Sequence, residues 1–258
     1  MKHHYTFGDS DAAADRLTLL ARAFEPSSSR LLRTLAPRAP RRALDLGCGP
    51  GHTTALVQQT LGAPETWGFD SSERMVALAG SRFCKISFAI QDVTAVPFPV
   101  ADVDAFYARY LLTHLAAPRE VLHACAKAAG KGARFVIEEN CSLQSADPTF
   151  VEYYGALARM HAHYGQDMHV GQNLARIAAG TRWRVERFEQ TPIPVEAAVM
   201  ARLHAMNVRT WRSDPFAAST FRAAHIDTMT HDLDDVAAGR RRAPEVTCVM
   251  GQIILALA

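Results

Sequence analysis

The sequence has no excess of charge of either sign, few cysteines and no long hydrophobic run. Its 28 basic residues stand against 26 acidic ones in 258 residues, which is too balanced for a protein that mainly binds phosphate backbones. The five cysteines are scattered without a C-x-x-C pair, so neither a disulfide framework nor a thiolate zinc site is indicated. The most apolar tail, at 246–258, has about 13 residues, whereas a helical membrane span needs about 20.

What remains is an ordinary globular composition. Apolar residues make up 48% of the chain and charged residues 21%, outside the range of disordered proteins. The N-terminus has no apolar segment of the kind that forms a secretory signal. We therefore expect a cytoplasmic protein with no membrane partner, built as one domain or as one domain with an insertion.

The first 40 residues predict a helical flank or lid. Apolar residues recur at helical spacing over 9–24, which indicates a helix. Pro26 and the serines at 27–29 follow and are expected to interrupt it. We therefore separate an N-terminal helical segment, 1–40, from the rest of the chain.

From residue 41 onwards, strand-like and helix-like segments alternate. Alternation of this kind predicts a mostly parallel sheet covered by helices on both faces. Two later segments, about 142–180 and 196–239, are helix-rich and interrupt the alternation; we expect them to cover the substrate, because variable segments on a rigid scaffold usually recognise it. The predicted domain is 41–258. Its strands are expected at 43–46, 66–70, 86–90, 103–107, 134–138, 183–188 and 246–256.

A glycine-rich loop follows the first predicted strand. Gly47, Gly49 and Gly51 alternate with other residues, and glycines allow positive φ and close approach of the backbone to a ligand. A dinucleotide fingerprint fails because His52 stands where its third glycine belongs, and no lysine is near for a phosphate-binding loop. The loop therefore favours a nucleoside without a pyrophosphate. Asp45, just before it, would repel a pyrophosphate and orient an amino group.

Two more aspartates end the next two predicted strands. Asp70 ends the second strand and Asp92 follows the third. A carboxylate accepts hydrogen bonds from two neighbouring hydroxyls, so we predict that Asp70 holds a ribose. Together with Asp45, these residues favour a nucleoside site over a simple tight turn.

The segment from about residue 42 to residue 139 resembles the class I S-adenosylmethionine-dependent methyltransferases of the small-molecule type. The D-x-G-x-G-x-G pattern and the two later aspartates carry the resemblance. It implies an α/β fold, a Rossmann-like seven-stranded mostly parallel sheet with an antiparallel last strand, plus a helical lid or insertions. It also implies a set of cofactor-binding residues: Asp45, Gly47, Cys48, Gly49, Gly51, Asp70, Ser71, Asp92, Val93, Ala108 and Arg109.

The resemblance implies S-adenosyl-L-methionine as the cofactor and S-adenosyl-L-homocysteine as its product. Methyl transfer from a sulfonium is an in-line displacement, in which alignment alone is worth roughly 7–11 kcal/mol. Tyr5 is a candidate to stabilise the sulfonium by a cation–π contact. His161 and His163 are candidate general bases; on a helix they point about 200° apart, so they do not form a metal site.

The acceptor is expected to be a small organic molecule, with natural-product tailoring as one role. Two alternatives stay open within this fold: an RNA or protein methyltransferase, and a cofactor-binding subunit or other non-methylating enzyme. The short basic run at 240–242 is more typical of a solvated loop than of an RNA-binding surface. We therefore expect no nucleic-acid partner. A homodimer is left open, as is the atom that accepts the methyl group.

Overall fold

The computed structural model describes residue 8, residues 10–35 and residues 39–258. The first part of the chain alternates helices and strands. Its elements are α1 (Asp11–Leu32), β1 (Arg42–Leu46), α2 (His52–Leu61), β2 (Glu65–Asp70), α3 (Glu73–Arg82), β3 (Ser87–Ile90) and β4 (Val103–Arg109). The second part has longer strands and more helices. Its elements are α4 (Arg119–Ala128), β5 (Ala129–Gln144), α5 (Pro148–His163), α6 (Leu174–Ala178), β6 (Trp183–Val195), α7 (Ala197–Trp211), α8 (Pro215–Thr220), α9 (Ala223–Ala237) and β7 (Val246–Leu257).

The seven strands form one sheet in the order β3-β2-β1-β4-β5-β7-β6. Strands β1 to β5 pair in parallel, and β7 runs antiparallel to both β5 and β6. The predicted Rossmann-like α/β sheet with an antiparallel last strand is therefore confirmed. Because β1 to β4 are parallel, the loops that follow them all emerge at the same edge of the sheet.

The strands beside β7 are longer than the sequence predicts. β5 runs from Ala129 to Gln144, where only 134–138 was expected, and β6 runs from Trp183 to Val195 instead of ending at 188. Antiparallel pairing with β7 extends both strands, with a register shift between Asn140 and Ser142. The helical prediction is therefore wrong for 142–144. This part of β5 contains polar residues, so a search for apolar runs does not identify it as a strand.

Helix α1 does not stop at Pro26 but continues to Leu32. The predicted interruption is wrong, and contacts made by the serine run give the physical reason. Ser28 accepts a hydrogen bond of 2.9 Å from the Arg109 guanidinium, and Ser27 accepts one of 3.1 Å from Gln252. A proline inside a helix costs about 3 kcal/mol. We infer that docking of the second half of α1 on the sheet offsets this cost.

The two largest apolar clusters among the described residues contain most of the core. The first packs α4 and α6 against the sheet around Phe106, Phe135 and Trp183. The second joins α5, α7 and α9 around Tyr153 and Trp211 and includes Phe24 of α1. The helix-rich nature of 196–239 is confirmed, because α7, α8 and α9 occupy it. Within the part of the chain that the structure describes, none of the helices has the length and apolar character that crossing a membrane requires.

Candidate active site

One cavity of about 950 Å³ opens where β1 to β4 end and continues beneath the helices. Its strand-end side consists of the loops after these four strands. Its helical side consists of residues from α1, α5 and α7, together with Asn140, Leu143 and Met168. The strand-end lining includes Gly47, Cys48, Gly49, Thr53, Asp70, Ser71, Gln91, Asp92, Val93, Arg109 and His114. The helical lining includes Arg16, Leu17, Leu20, Phe24, Asn140, Leu143, Tyr153, Leu157, His161, Met168, Met200, Leu203, His204 and Asn207.

The glycine loop after β1 has the backbone geometry that its sequence predicts. Gly47, Gly49 and Gly51 have φ angles of 69°, 51° and 87°, which favour glycine over residues with a Cβ. A Cβ on Gly47 would also lie 2.9 Å from the Leu111 side chain. The loop therefore approaches the segment after β4 closely, and Gly47 and Gly49 line the cavity between them. Gly51 lies outside the lining and begins α2.

Asp70 ties the glycine loop to the end of β2. One carboxylate oxygen accepts a hydrogen bond of 2.8 Å from the Gly49 amide, and the other accepts one of 2.9 Å from the Ser72 amide. A carboxylate can accept about four hydrogen bonds, so this arrangement is compatible with hydroxyl donors from a ligand. Asp70 and Ser71 both line the cavity. Ser72 caps α3 by accepting from the Met75 amide.

Asp45 is not on the cavity surface, and the predicted contact with an amino group therefore requires correction. The side chain is only 1% exposed, and one carboxylate oxygen accepts hydrogen bonds from Thr53 and Thr54 at 2.6 and 2.7 Å. Burial raises the pKa of Asp45 to about 7. These threonines begin α2 and draw the carboxylate behind the loop. Thr53 itself lines the cavity.

Asp92 and Val93 stand beside Asp70 at the same edge. The Gln91 amide donates to the Asp70 carbonyl at 2.9 Å, which holds the end of β3 against the end of β2. The Asp92 carboxylate accepts from the amide and the hydroxyl of Thr94 at 2.8 and 2.6 Å. Of the three predicted carboxylates, two therefore border one cavity, and Val93 provides an apolar surface next to them.

Arg109 lines the cavity after β4, whereas Ala108 is fully buried and lies outside the lining. The next turn depends on a residue that the sequence analysis missed. Glu139, within β5, accepts hydrogen bonds from the amides of Leu111 and Leu112 at 2.7 and 2.6 Å. Burial raises the pKa of Glu139 to about 8. The available signal was the pair of acidic residues that directly follows the apolar run 135–137.

The two candidate general bases, His161 and His163, lie in different places relative to the cavity. His161 of α5 is buried and lines the cavity, with its ring centroid 5.5 Å from that of His114. Burial lowers the pKa of His161 to about 4, so the imidazole is neutral at pH 7. His163 is exposed, stacks on Phe216 at 4.1 Å and does not line the cavity. Tyr5 lies outside the described residues.

Three buried polar side chains form a second feature that the sequence analysis missed, here called the α5–α7 polar cluster: Tyr153, His204 and Asn207. The Asn207 side-chain amide donates to the Tyr153 hydroxyl at 2.7 Å, and the His204 ring stacks on the Tyr153 ring with centroids 4.1 Å apart. All three line the cavity. They come from helices about 50 residues apart in sequence, so no local pattern could have connected them.

Two further predictions were that His161 and His163 form no metal site and that the basic run at 240–242 is a solvated loop. Among the described residues, no group of three or more histidine, cysteine or acidic side chains is arranged to hold a metal ion. Two arginines of the basic run at 240–242 bond within the fold. Arg240 pairs with Asp235 at 2.7 Å, and Arg241 pairs with Asp147 at the start of α5.

Comparison with known sequences identifies the class of domain. The family described as "Methyltransferase domain" matches residues 43–132. Trans-aconitate 2-methyltransferase of Methylobacterium radiotolerans is 38% identical over 88 residues, covering 34% of this chain and 34% of that protein. The uncharacterized methyltransferase YcgJ of Bacillus subtilis is 26% identical over 136 residues, covering 50% and 52%. The chain thus spans about a third of the length of the trans-aconitate 2-methyltransferase.

Solved structures extend the likeness in fold to nearly the whole chain. A geranyl diphosphate methyltransferase in complex with S-adenosylmethionine has a TM-score of 0.56 at 16% identity, covering 99% of this chain and 98% of that one. The YcgJ structure has a TM-score of 0.55 at 18% identity, covering 90% and 98%. The sheet, the glycine loop and residues 43–132 define a methyltransferase domain. The match over residues 43–132 and the fold of the chain together support a place in the class I S-adenosylmethionine-dependent methyltransferase superfamily.

Proposed function

We propose that the protein is an S-adenosylmethionine-dependent methyltransferase that acts on a small organic molecule and releases S-adenosylhomocysteine. The observation that carries this proposal is a cavity with two chemically different sides. Its strand-end side combines a glycine loop with Asp70 and Asp92. Most of the residues that line its helical side are apolar. Such a cavity can bring a polar cofactor and a second molecule together.

The cofactor would lie along the strand ends. Asp70 accepts hydrogen bonds from the ribose hydroxyls, and Asp92 with Val93 contacts the adenine. Gly47 and Gly49 let the backbone approach the methionine end, and Thr53, whose hydroxyl donates to Asp45, lines the same space. Asp45 therefore acts by positioning the start of α2. The cofactor supplies an activated methyl group, and the protein aligns the acceptor with it and excludes water.

The shape of the cavity favours a small acceptor over an RNA or a folded protein. Sites for small molecules typically have volumes of about 300–1,000 Å³, and this cavity of about 950 Å³ must hold both cofactor and acceptor. Helices α1, α5 and α7 cover the helical side, so we propose that the N-terminal segment serves as a lid. An apolar acceptor side suits the tailoring of a natural product.

His161 is the residue we propose as the general base where the acceptor loses a proton. It lines the cavity, and its pKa of about 4 keeps it neutral at physiological pH. His163 is not carried into this proposal, because its ring stacks on Phe216 away from the cavity.

Trans-aconitate, named for one relative, is not the acceptor that this site favours. Trans-aconitate carries three carboxylates, whereas Arg16 is the one cationic side chain among the described residues of the helical side. The histidines there, His161 and His204, have pKa values that burial lowers to about 4 and about 3, so they add no positive charge at pH 7. Unpaired buried charge is costly, which favours a less charged acceptor.

Calorimetry followed by a turnover assay tests the proposal. We expect one S-adenosylhomocysteine to bind per chain, and S-adenosylmethionine to yield S-adenosylhomocysteine and a methylated product with a suitable acceptor. No binding of either ligand at millimolar concentration would contradict the proposal. Binding without turnover across a broad acceptor panel would instead favour a non-catalytic subunit, and a changed but unmethylated product would favour a non-methylating enzyme.

A further inference from the structure

The α5–α7 polar cluster is buried in surroundings that are mostly apolar. His204 and Asn207 are 4% and 7% exposed, and they lie one helical turn apart on α7, so both face the same direction. Their neighbours in the lining include Leu203 and Met200. Phe150 packs edge-on against the His204 ring with centroids 5.8 Å apart. Polar groups in such a place are normally fully hydrogen-bonded.

Two polar atoms of the cluster lack a hydrogen-bond partner among the described residues. Asn207 donates from its side-chain nitrogen to Tyr153, but its Oδ1 is buried without a donor. His204 bonds through Nε2 to the Tyr154 hydroxyl at 3.2 Å, but its Nδ1 is buried without a partner. A buried polar atom without a partner costs free energy, so a ligand that supplies the missing hydrogen bonds would gain affinity.

The chemistry of these two atoms defines the group that would satisfy them. The Asn207 oxygen only accepts, so the ligand must donate a proton to it. The His204 nitrogen donates or accepts according to its tautomer. A hydroxyl group does both and therefore serves either tautomer. No carboxylate lines the helical side in the described part of the chain, so nothing there favours an ammonium group instead.

We propose that the α5–α7 polar cluster is a subsite for a hydroxyl group, phenolic or alcoholic, on an otherwise apolar methyl acceptor. That the ligand is the methyl acceptor rests on the proposed function. The hydroxyl donates to Asn207 and exchanges a hydrogen bond with His204, while the apolar body of the molecule packs against the neighbouring side chains. The subsite orients the acceptor within the cavity and selects against analogues that lack the hydroxyl.

Three small probes of matched shape test this subsite on the full-length protein. They are p-cresol, p-xylene, in which a methyl replaces the hydroxyl, and p-toluate, in which a carboxylate replaces it. Ligand-detected NMR titration gives each dissociation constant. We expect p-cresol to bind at least 10-fold more tightly than p-xylene, although p-xylene is more apolar. Equal or tighter binding of p-xylene, tightest binding of p-toluate, or no binding of any probe would overturn the proposal.

Variants of the α5–α7 polar cluster test whether it is responsible for the preference for p-cresol over p-xylene. Asn207→Leu removes the acceptor at similar volume and should reduce the preference for p-cresol over p-xylene to about 1-fold. His204→Phe keeps the ring stacking but removes Nδ1, and should reduce the preference at least 3-fold. Asn173→Leu is the matched control, because Asn173 is half-buried and lies outside the cavity. It should leave the preference unchanged. A preference that survives in both cluster variants would overturn the proposal.

Failure of the subsite and failure of the proposed function give different results. Each sample is also titrated with S-adenosylhomocysteine. If S-adenosylhomocysteine binds but p-cresol shows no preference, the subsite is refuted and the proposed function stands. If p-cresol is preferred but S-adenosylhomocysteine does not bind, the proposed function is refuted and a hydroxyl-binding site remains.

Discussion

The two sides of the cavity are built in different ways. The strand-end side comes from consecutive loops within 47–115, is held largely by backbone hydrogen bonds and presents two carboxylates, Asp70 and Asp92. The helical side combines residues from Arg16 to Asn207, is largely apolar and contains neutral histidines. The matched methyltransferase domain, residues 43–132, contains the first side and little of the second.

This contrast separates what the superfamily shares from what is particular to this chain. A ligand common to many enzymes can be bound by glycines, amides and strand-end carboxylates that stay close in sequence. An acceptor particular to one enzyme is recognised by helices added around that frame. The two sides also contain buried groups whose pKa values are shifted in opposite directions. Burial raises the pKa of Asp45 near the strand ends and lowers that of His161 among the helices.

The largest expected effect concerns the contact that joins the helical side to the sheet. A Cβ on Gly251 of β7 would overlap the carbonyl oxygen of Gly171, in the turn before α6. The nearest atoms all belong to the Gly171 backbone, so Gly251→Ala should destabilise the protein by about 3 kcal/mol, measured by urea unfolding. Gly155→Ala on α5 is the control. A Cβ there meets nothing within 4 Å, and we expect a gain of about 0.4–1 kcal/mol. Similar effects of the two substitutions would refute this packing.

The next effect tests the strand-end side alone. Asp70→Ala removes the proposed ribose acceptor and the bond to the Gly49 amide. We expect S-adenosylhomocysteine to bind more weakly by about 2 kcal/mol, the scale of lost hydrogen bonds to a charged group. Calorimetry measures this change. The control is Asp227→Ala, an exposed carboxylate away from the cavity that pairs with Arg212. Unchanged affinity in Asp70→Ala would place the ribose elsewhere.

Asp45 should make the protein less stable as the pH rises from about 4 to about 7. Its pKa is about 7 in the folded protein and about 3.9 in an unfolded chain. Because the folded state holds the proton more tightly, protonated Asp45 contributes to the free energy of unfolding. The contribution is complete below about pH 4 and is lost as the pH rises through 7. Asp45→Asn keeps an oxygen for the two threonines and removes the titration. Between pH 5 and 8, wild type should lose about 2 kcal/mol relative to this variant. Parallel stability profiles would contradict the burial of an ionisable Asp45.

His161, in contrast to Asp45, should make the protein less stable as the pH falls. Its folded pKa is about 4, against about 6.5 when unfolded. The unfolded state therefore binds the proton more readily, and stability is lost as the pH falls from about 6.5 to 4. His161→Phe should reduce this loss by about 1–2 kcal/mol in unfolding experiments at pH 7 and pH 4.5. His163→Phe, at the exposed neighbour, should not reduce it. Equal behaviour of the two variants would contradict the placement of His161.

The smallest effect tests the link between the two sides. Ser28 of α1 accepts a hydrogen bond from Arg109 of β4 in a buried setting. Ser28→Ala should lower the free energy of unfolding by about 1.5 kcal/mol, because the acceptor for a charged donor is lost. Ser219→Ala, on exposed α8, should change it by less than about 0.5 kcal/mol. Indistinguishable unfolding of the two variants would show that this bond does not hold α1 on the sheet.

The strand-end side was largely predictable because its information is local. Glycine spacing, the order of strands and the aspartates at 70 and 92 lie in one continuous segment. Asp45 was misplaced because two threonine hydroxyls at the start of α2 bond its carboxylate behind the loop. Neither the course of α1 beyond Pro26 nor the pairing of Tyr153 with Asn207 was predictable. Both depend on contacts between residues far apart in sequence.

A crystal structure of the protein with S-adenosylhomocysteine is the most direct test of the two-sided cavity. We expect the ribose hydroxyls to lie within hydrogen-bond distance of the Asp70 carboxylate and the adenine to lie beside Val93. We also expect the sulfur to face the helical side, towards His161. Electron density for the ligand in another cavity, or in this cavity with its sulfur turned away from the helices, would contradict this expectation.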